Sequence, residues 1–197
     1  MRLGIRARAL AAAMTVALAA AGAIAIAKSK VDAKRSPNVD FSPIKTYIWL
    51  PSPPLTLQAA PGTMRDPKLI QAEVEPWIIG TADRELAAHG WKRVTAPPAD
   101  VQIIYYLSHG TGFNASNIGD YYQAVTGYAL VVPPYLAPTQ SVVVYEEGTI
   151  VIDIVQDRNA IWRGTATTTI NRELNDAKRK QSVEDLVRKL IDRVPKK

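Results

Sequence analysis

No cysteine occurs anywhere in the 197 residues. That absence removes disulfides, thiolate metal sites, cysteine nucleophiles and lipid attachment to a cysteine, so stability has to come from an ordinary apolar core. Histidine is scarce too, with His89 and His109 alone, and a stable metal site normally takes about three or four donors. Neither a metal nor a cofactor is therefore expected. The first 27 residues contain no acid, whereas Arg2, Arg6 and Arg8 stand among them. Setting those three arginines aside leaves 21 basic against 18 acidic residues. So small an excess, dispersed or gathered near Lys178-Arg179-Lys180, gives no reason to expect a nucleic-acid partner.

What does stand at the start is a leader. Three arginines are followed by the uncharged run 9–27, which closes on Ala25-Ile26-Ala27 and gives way to Lys28-Ser29-Lys30. Basic n-region, apolar h-region and a small-x-small end are the marks of a secretory signal peptide, with cleavage expected after Ala27 and a periplasmic destination. The competing reading is an uncleaved inner-membrane anchor, because nineteen uncharged residues approach the roughly 20 that span a bilayer. The alanine content of the run and Gly22 favour cleavage. Residues 28–39 read as an N-terminal linker, and 40–197 as one domain long enough to bury its own core.

Within that domain, Lys45-Thr46-Tyr47-Ile48-Trp49-Leu50 reads as a strand stopped by Pro51, Pro53 and Pro54. Leu69, Ile70, Val74, Trp77, Ile78, Ala82 and Leu86 recur at helical steps, with a kink or fresh start expected at Pro76 and a left-handed cap at Gly90. Residues 100–107 read as a buried strand. Residues 142–145 and 149–155 follow as strands around a Glu146-Glu147-Gly148 turn, and 161–170 as another after an Asp157-Arg158-Asn159 turn. Ser182 with Asp185 forms a capping box for a final helix whose face is Val183, Leu186, Val187, Leu190, Ile191 and Val194. The expected class is α+β: a mainly antiparallel sheet of about five strands, two helices packed on one face, and a long Gly/Tyr/Pro-rich arm between strands.

Several segments in this order resemble the bacterial family called domain of unknown function 4136, whose members are mostly small envelope lipoproteins. The carriers are Val31-Asp32-Ala33, Asp40-Phe41 with Lys45-Thr46-Tyr47-Ile48-Trp49, Glu85-Leu86-Ala87-Ala88-His89-Gly90-Trp91, Ala99-Asp100-Val101, Glu147-Gly148-Thr149-Ile150-Val151-Ile152-Asp153, Ile161-Trp162-Arg163-Gly164 and the closing stretch 190–195. The resemblance implies an envelope location and one domain over 31–194, and it lends no activity. A typical member keeps a cysteine at the cleavage point for its lipid. This chain has none, so a soluble periplasmic form is expected.

Motifs that could carry chemistry all have plainer readings. Gly110-Thr111-Gly112-Phe113-Asn114-Ala115 fits a loose dinucleotide fingerprint, yet no helix start follows it and no acid lies between Tyr121 and Tyr145. Glu146 with Glu147, and Asp153 with Asp157, offer paired carboxylates that turn chemistry explains as well. His89 suits a helix C-terminus as a partial cation, and His109 stands at a strand end without a partner assigned by spacing. In Trp162-Arg163-Gly164 the tryptophan is expected inward, the arginine outward, and the glycine where a neighbour approaches closely. No catalytic residue is assigned.

The arm holds most of the interest. Six of the eight tyrosines lie between Tyr105 and Tyr135, and Tyr121, Tyr122, Tyr128 and Tyr135 offer amphipathic contact area at low entropic cost. They are the candidate partner-binding residues, the plainer reading being a hairpin extension that covers a sheet edge. The expected function is a non-enzymatic binding or scaffold module whose partner is an envelope protein or polymer. Membrane contact is expected only if the leader stays uncleaved. The alternatives are an envelope hydrolase centred near His109 and a membrane-anchored domain.

Overall fold

Alternating apolar residues build the strands here, and two kinds of cover bury both faces of the sheet they form. The computed structural model of the protein describes residues 29–51, 56–58, 67–110, 123, 129–136, 147–169 and 175–196. The leader expected over residues 1–27 and the strand expected at 142–145 both lie outside the described residues. In chain order the elements are β1 (Lys30–Arg35), β2 (Thr46–Trp49), β3 (Thr56–Gln58), α1 (Pro67–Ala88), β4 (Lys92–Arg93) and β5 (Val101–Gly110). A 3₁₀ turn (Pro134–Leu136), β6 (Glu147–Gln156), β7 (Asn159–Thr169) and α2 (Asp176–Ile191) complete them.

The strand order is β1-β7-β6-β5-β2-β4, with β3 also paired to β5. The long pairs β5–β6, β6–β7 and β1–β7 are antiparallel, whereas β2 and β3 lie parallel to successive stretches of β5 and β2 lies parallel to β4. The α+β class stands, and the sheet is larger and more mixed than the sequence suggests. Two expectations need correction. The stretch 28–39 expected as a linker contains β1, and Glu147 with Gly148, expected in a turn, lies within β6, paired to Thr169 and Thr168.

One face packs against the helices. Val101, Ile103 and Tyr105 from β5, Ile150, Ile152 and Ile154 from β6, and Trp162 and Ala166 from β7 share a core with Ile78, Ala82 and Leu86 of α1 and Leu186, Val187, Leu190 and Ile191 of α2. The helical residues recur at three- and four-residue steps, which makes one stripe on each helix. Helix α1 runs unbroken through Pro76. Gly90 closes it at φ 83, and Trp91 N–H returns to Leu86 O at 3.0 Å, the left-handed termination that glycine permits. Gly164 is the close approach: a Cβ there would collide with the Trp162 ring and lie 2.9 Å from Leu190 Cδ2.

Helix α2 begins earlier than its capping-box signal. Asn175 is the N-cap, its side chain accepting from Lys178 N–H at 3.0 Å, and Ser182 lies inside the helix. The added turns are polar, so no apolar stripe announces them. Arg179 ties them to α1 through Glu73 at 3.2 Å. Among the described residues no helix is long and apolar enough to cross a membrane.

Candidate functional site

The second face of the sheet is where the candidate surface lies. Ile104 and Tyr106 of β5, Val151 and Val155 of β6 and Ala160 of β7 point away from the helices and would meet water in a two-layer fold. Leu130 and Leu136 cover them, with Val132 packed alongside. The covering segment 129–136 is pinned to the β6–β7 turn by Val131 N–H to Arg158 O and Ala160 N–H to Val131 O, both 2.9 Å. That turn is the expected Asp157-Arg158 reversal, with φ of 48° and 64° as tight hairpin turns of the primed type require.

The same face of the sheet carries an ion pair that the sequence reading missed. Arg163 donates from Nε to Asp153 Oδ1 and from Nη2 to Asp153 Oδ2, both at 2.7 Å. The side chains are 3% and 0% exposed. The expectation that Arg163 faces outward is therefore corrected: it does leave the helix side, but it is buried on the second face as well. Asp153 lies within β6, in the strand expected over 149–155. Burial alone would lower the Arg163 pKa, and the Asp153 carboxylate more than offsets this, so the guanidinium is raised above its ordinary value and stays charged. Asp153 and Arg163 lie directly opposite on β6 and β7, and Lys34 of β1 continues the row beside Arg163.

A second polar node binds α1 to the sheet. Asp83 accepts from Tyr47 Oη at 2.7 Å and from Trp49 Nε1 at 2.8 Å through Oδ1, and from Arg93 Nη1 at 2.8 Å through Oδ2. Burial, with the Asp83 hydrogen bond and charge, raises the Tyr47 pKa far above its ordinary 10.0. Tyr47 and Trp49 stack edge to face at 6.5 Å, Trp49 meets Tyr105 at 6.3 Å, and Tyr47 meets Trp91 at 6.4 Å. Asp100 plays a similar part at the strand starts, accepting from the Lys45 and Thr46 backbone N–H groups at 2.8 Å each.

The candidate residues distribute unevenly over this frame. Tyr121, Tyr122 and Tyr128 lie outside the described residues. Tyr135 is in the 3₁₀ turn, 47% exposed, with Val131 of the same segment 53% exposed; the Tyr135 hydroxyl donates to Ser36 Oγ at 3.1 Å. His109 is within β5 between Leu57 of β3 and Gly148 of β6. His89 follows α1, and its Nδ1 is buried without a hydrogen-bond partner. Burial first, and Lys196 second, lower its pKa, so the expected partial cation is corrected to a neutral ring. Gly110 ends β5; the rest of the loose glycine motif lies outside the described residues. Two open clefts, of about 290 and 310 Å³, flank the sheet ends. Asp100 lines the larger, and its Oδ2 is already committed to backbone donors.

Comparison with known proteins identifies the fold. No curated protein matches. A crystal structure of a DUF4136 family protein from Bacteroides thetaiotaomicron is similar at 11% identity, with a TM-score of 0.55 over 83% of this chain and 94% of that one. A PDZ domain protein from Parabacteroides distasonis has a TM-score of 0.46 at 13% identity, over 84% of this chain and 36% of its own. The PelC dodecamer from Paraburkholderia phytofirmans has a TM-score of 0.42 at 10% identity, over 83% and 95%. The family described as domain of unknown function DUF4136 matches residues 31–196, nearly the whole span in which the elements described above lie, and the chain belongs to that family.

Proposed function

We propose that the protein is an exported, non-enzymatic binding or scaffold module of the cell envelope, which meets its partner through the surface around Tyr135. The observation that carries this is the pairing of an exposed aromatic ring with an exposed Val131 on one short segment. That segment is anchored on its inner side by Leu130 and Leu136. A large, exposed side chain held by its hydroxyl suits contact with a partner, since little entropy remains to be lost. The pattern of residues 1–27 supports export. The polar nodes support a structural rather than a chemical use of the charged groups, because both oxygens of Asp153 and Asp83, and Oδ2 of Asp100, hold elements together.

A photo-crosslinking side chain introduced in place of Tyr135 in living cells tests the reading. Capture of one envelope protein or glycan, lost when Val131→Ser is added, is the expected result. Labelling that matches a crosslinker placed at exposed Lys189 overturns it. Removing the whole arm is a poor test, since a deletion through residue 136 strips Leu136 from the second interior face.

A further inference from the structure

Among the described strands, β1 is the outermost on one side of the sheet. Its hydrogen-bond phase follows from the bond just past its end, Ser36 N–H to Ile161 O at 2.7 Å. Hydrogen-bonded pairs in an antiparallel ladder recur at every second residue. Lys34 opposite Arg163, Asp32 opposite Thr165 and Lys30 opposite Thr167 are therefore the bonded pairs. Val31, Ala33 and Arg35 consequently turn their backbone N–H and C=O groups to the side away from β7, where no other described strand pairs with them.

We propose that this edge pairs with the β1 edge of a second copy of the chain, antiparallel about a two-fold axis at Ala33, to form one sheet continuous through two molecules. The charges select that register. Edge pairing must set outward residues opposite outward residues, so the register can shift only in steps of two. Centred on Ala33, it sets Val31 opposite Arg35 and, twice over, Asp32 opposite Lys34. Shifting the centre to Asp32 sets that acid against itself and Lys30 against Lys34, and shifting it to Lys34 sets that base against itself. A centre at Val31 pairs Lys30 with Asp32 but overlaps less of the strand and leaves Arg35 outside. Like charges directly opposite oppose pairing and opposite charges favour it. Asp32 and Lys34 would also meet at non-hydrogen-bonded positions, where Cα atoms come to about 4.5 Å. Ala33 at the axis is small enough for two copies to meet there.

The seam is short. About six backbone hydrogen bonds form across it, and it buries less than the ~1,200 Å² usual for stable complexes, so the dimer is expected at micromolar concentrations and above. Placing residue 33 at the axis also keeps the helices of both copies on one side of the joined sheet, because residues directly opposite point to the same face.

Sedimentation of the protein isolated from the cells that make it, over a range from micromolar to millimolar, reads the equilibrium. A concentration-dependent dimer is expected. Asp32→Lys alone and Lys34→Asp alone should each weaken it tenfold or more, and the two together should restore most of the loss, because the swapped charges again face their opposites. Ala33→Pro should abolish it, since proline removes an edge donor while the ladder to β7 keeps its bonds. Near-ultraviolet circular dichroism confirms that each variant is folded, and the charge cycle decides the matter if the proline variant is not. A monomer throughout the range, a dimer indifferent to Ala33→Pro in a folded protein, or a double variant no better than the singles overturns the proposal.

Discussion

Arg163 and Asp153 face each other across β7 and β6 with two parallel hydrogen bonds of 2.7 Å, and both side chains are buried. A buried pair of this kind contributes less than its bond lengths suggest, because both ions lost their water. Removing one partner is another matter, since it takes the bidentate carboxylate away from a charge that stays in the interior. Asp153→Ala is expected to lower unfolding stability by about 3–5 kcal/mol, whereas Asp153→Leu with Arg163→Met should recover most of that loss. Urea midpoints of the two variants check it.

Tyr47 gives the fold an alkaline limit. Its phenol is neutral in the native state, with a pKa raised well above 10.0, while in the unfolded chain it ionises near that value. The unfolded state therefore sheds its proton first as pH rises, and native stability, full below pH 10, declines above it. Tyr47→Phe should remove that part of the decline while costing about 1–2 kcal/mol at neutral pH for the lost bond to Asp83. Denaturant midpoints from pH 8 to 11.5 for both proteins separate the two effects.

His89 acts at the other end of the scale. Its pKa is lowered from 6.5 chiefly by burial, so the unfolded chain takes up a proton before the native one does. The stability it confers is present above pH 6.5 and falls away as the pH drops through that value toward the native pKa. His89→Gln is expected to flatten the loss of stability below pH 6.5, as read by thermal midpoints at pH 7 and pH 5.

Gly164 is fixed by the tryptophan two residues before it. Even one methyl group at this position strikes the Trp162 ring and presses on Leu190 Cδ2. Overpacking of this sort typically costs about 1–3 kcal/mol, and Gly164→Ala should fall in that range. Pairing it with Leu190→Ala should relieve only the smaller of the two collisions, which a double-mutant cycle would detect.

What could be read from the residues was whatever their immediate neighbours decide. The apolar stripe of α2, the glycine termination after α1, the turn at Asp157-Arg158 and the close approach at Gly164 each follow from a short window of sequence. The failures share a different cause. Arg163 reads as outward because alternation implies solvent on the second face, and nothing near position 163 says that this face has a core of its own, to which Leu130 and Leu136 contribute. Strand β1 is hidden for a related reason. Only Val31 and Ala33 of Lys30–Arg35 pack against the core, so its charged residues resemble a tether until β7 supplies the partner. The true start of α2 is masked because Asn175 is one polar residue among many, and the helix it caps shows no apolar stripe until Val183.

β1 leans on β7, its register running from Lys30 against Thr167 to Arg35 against Trp162, so the earliest described strand is stitched to one some 130 residues later. Loop closure on that scale makes such contacts late to form. A nascent chain holds this strand without a mate until almost everything else has been synthesised.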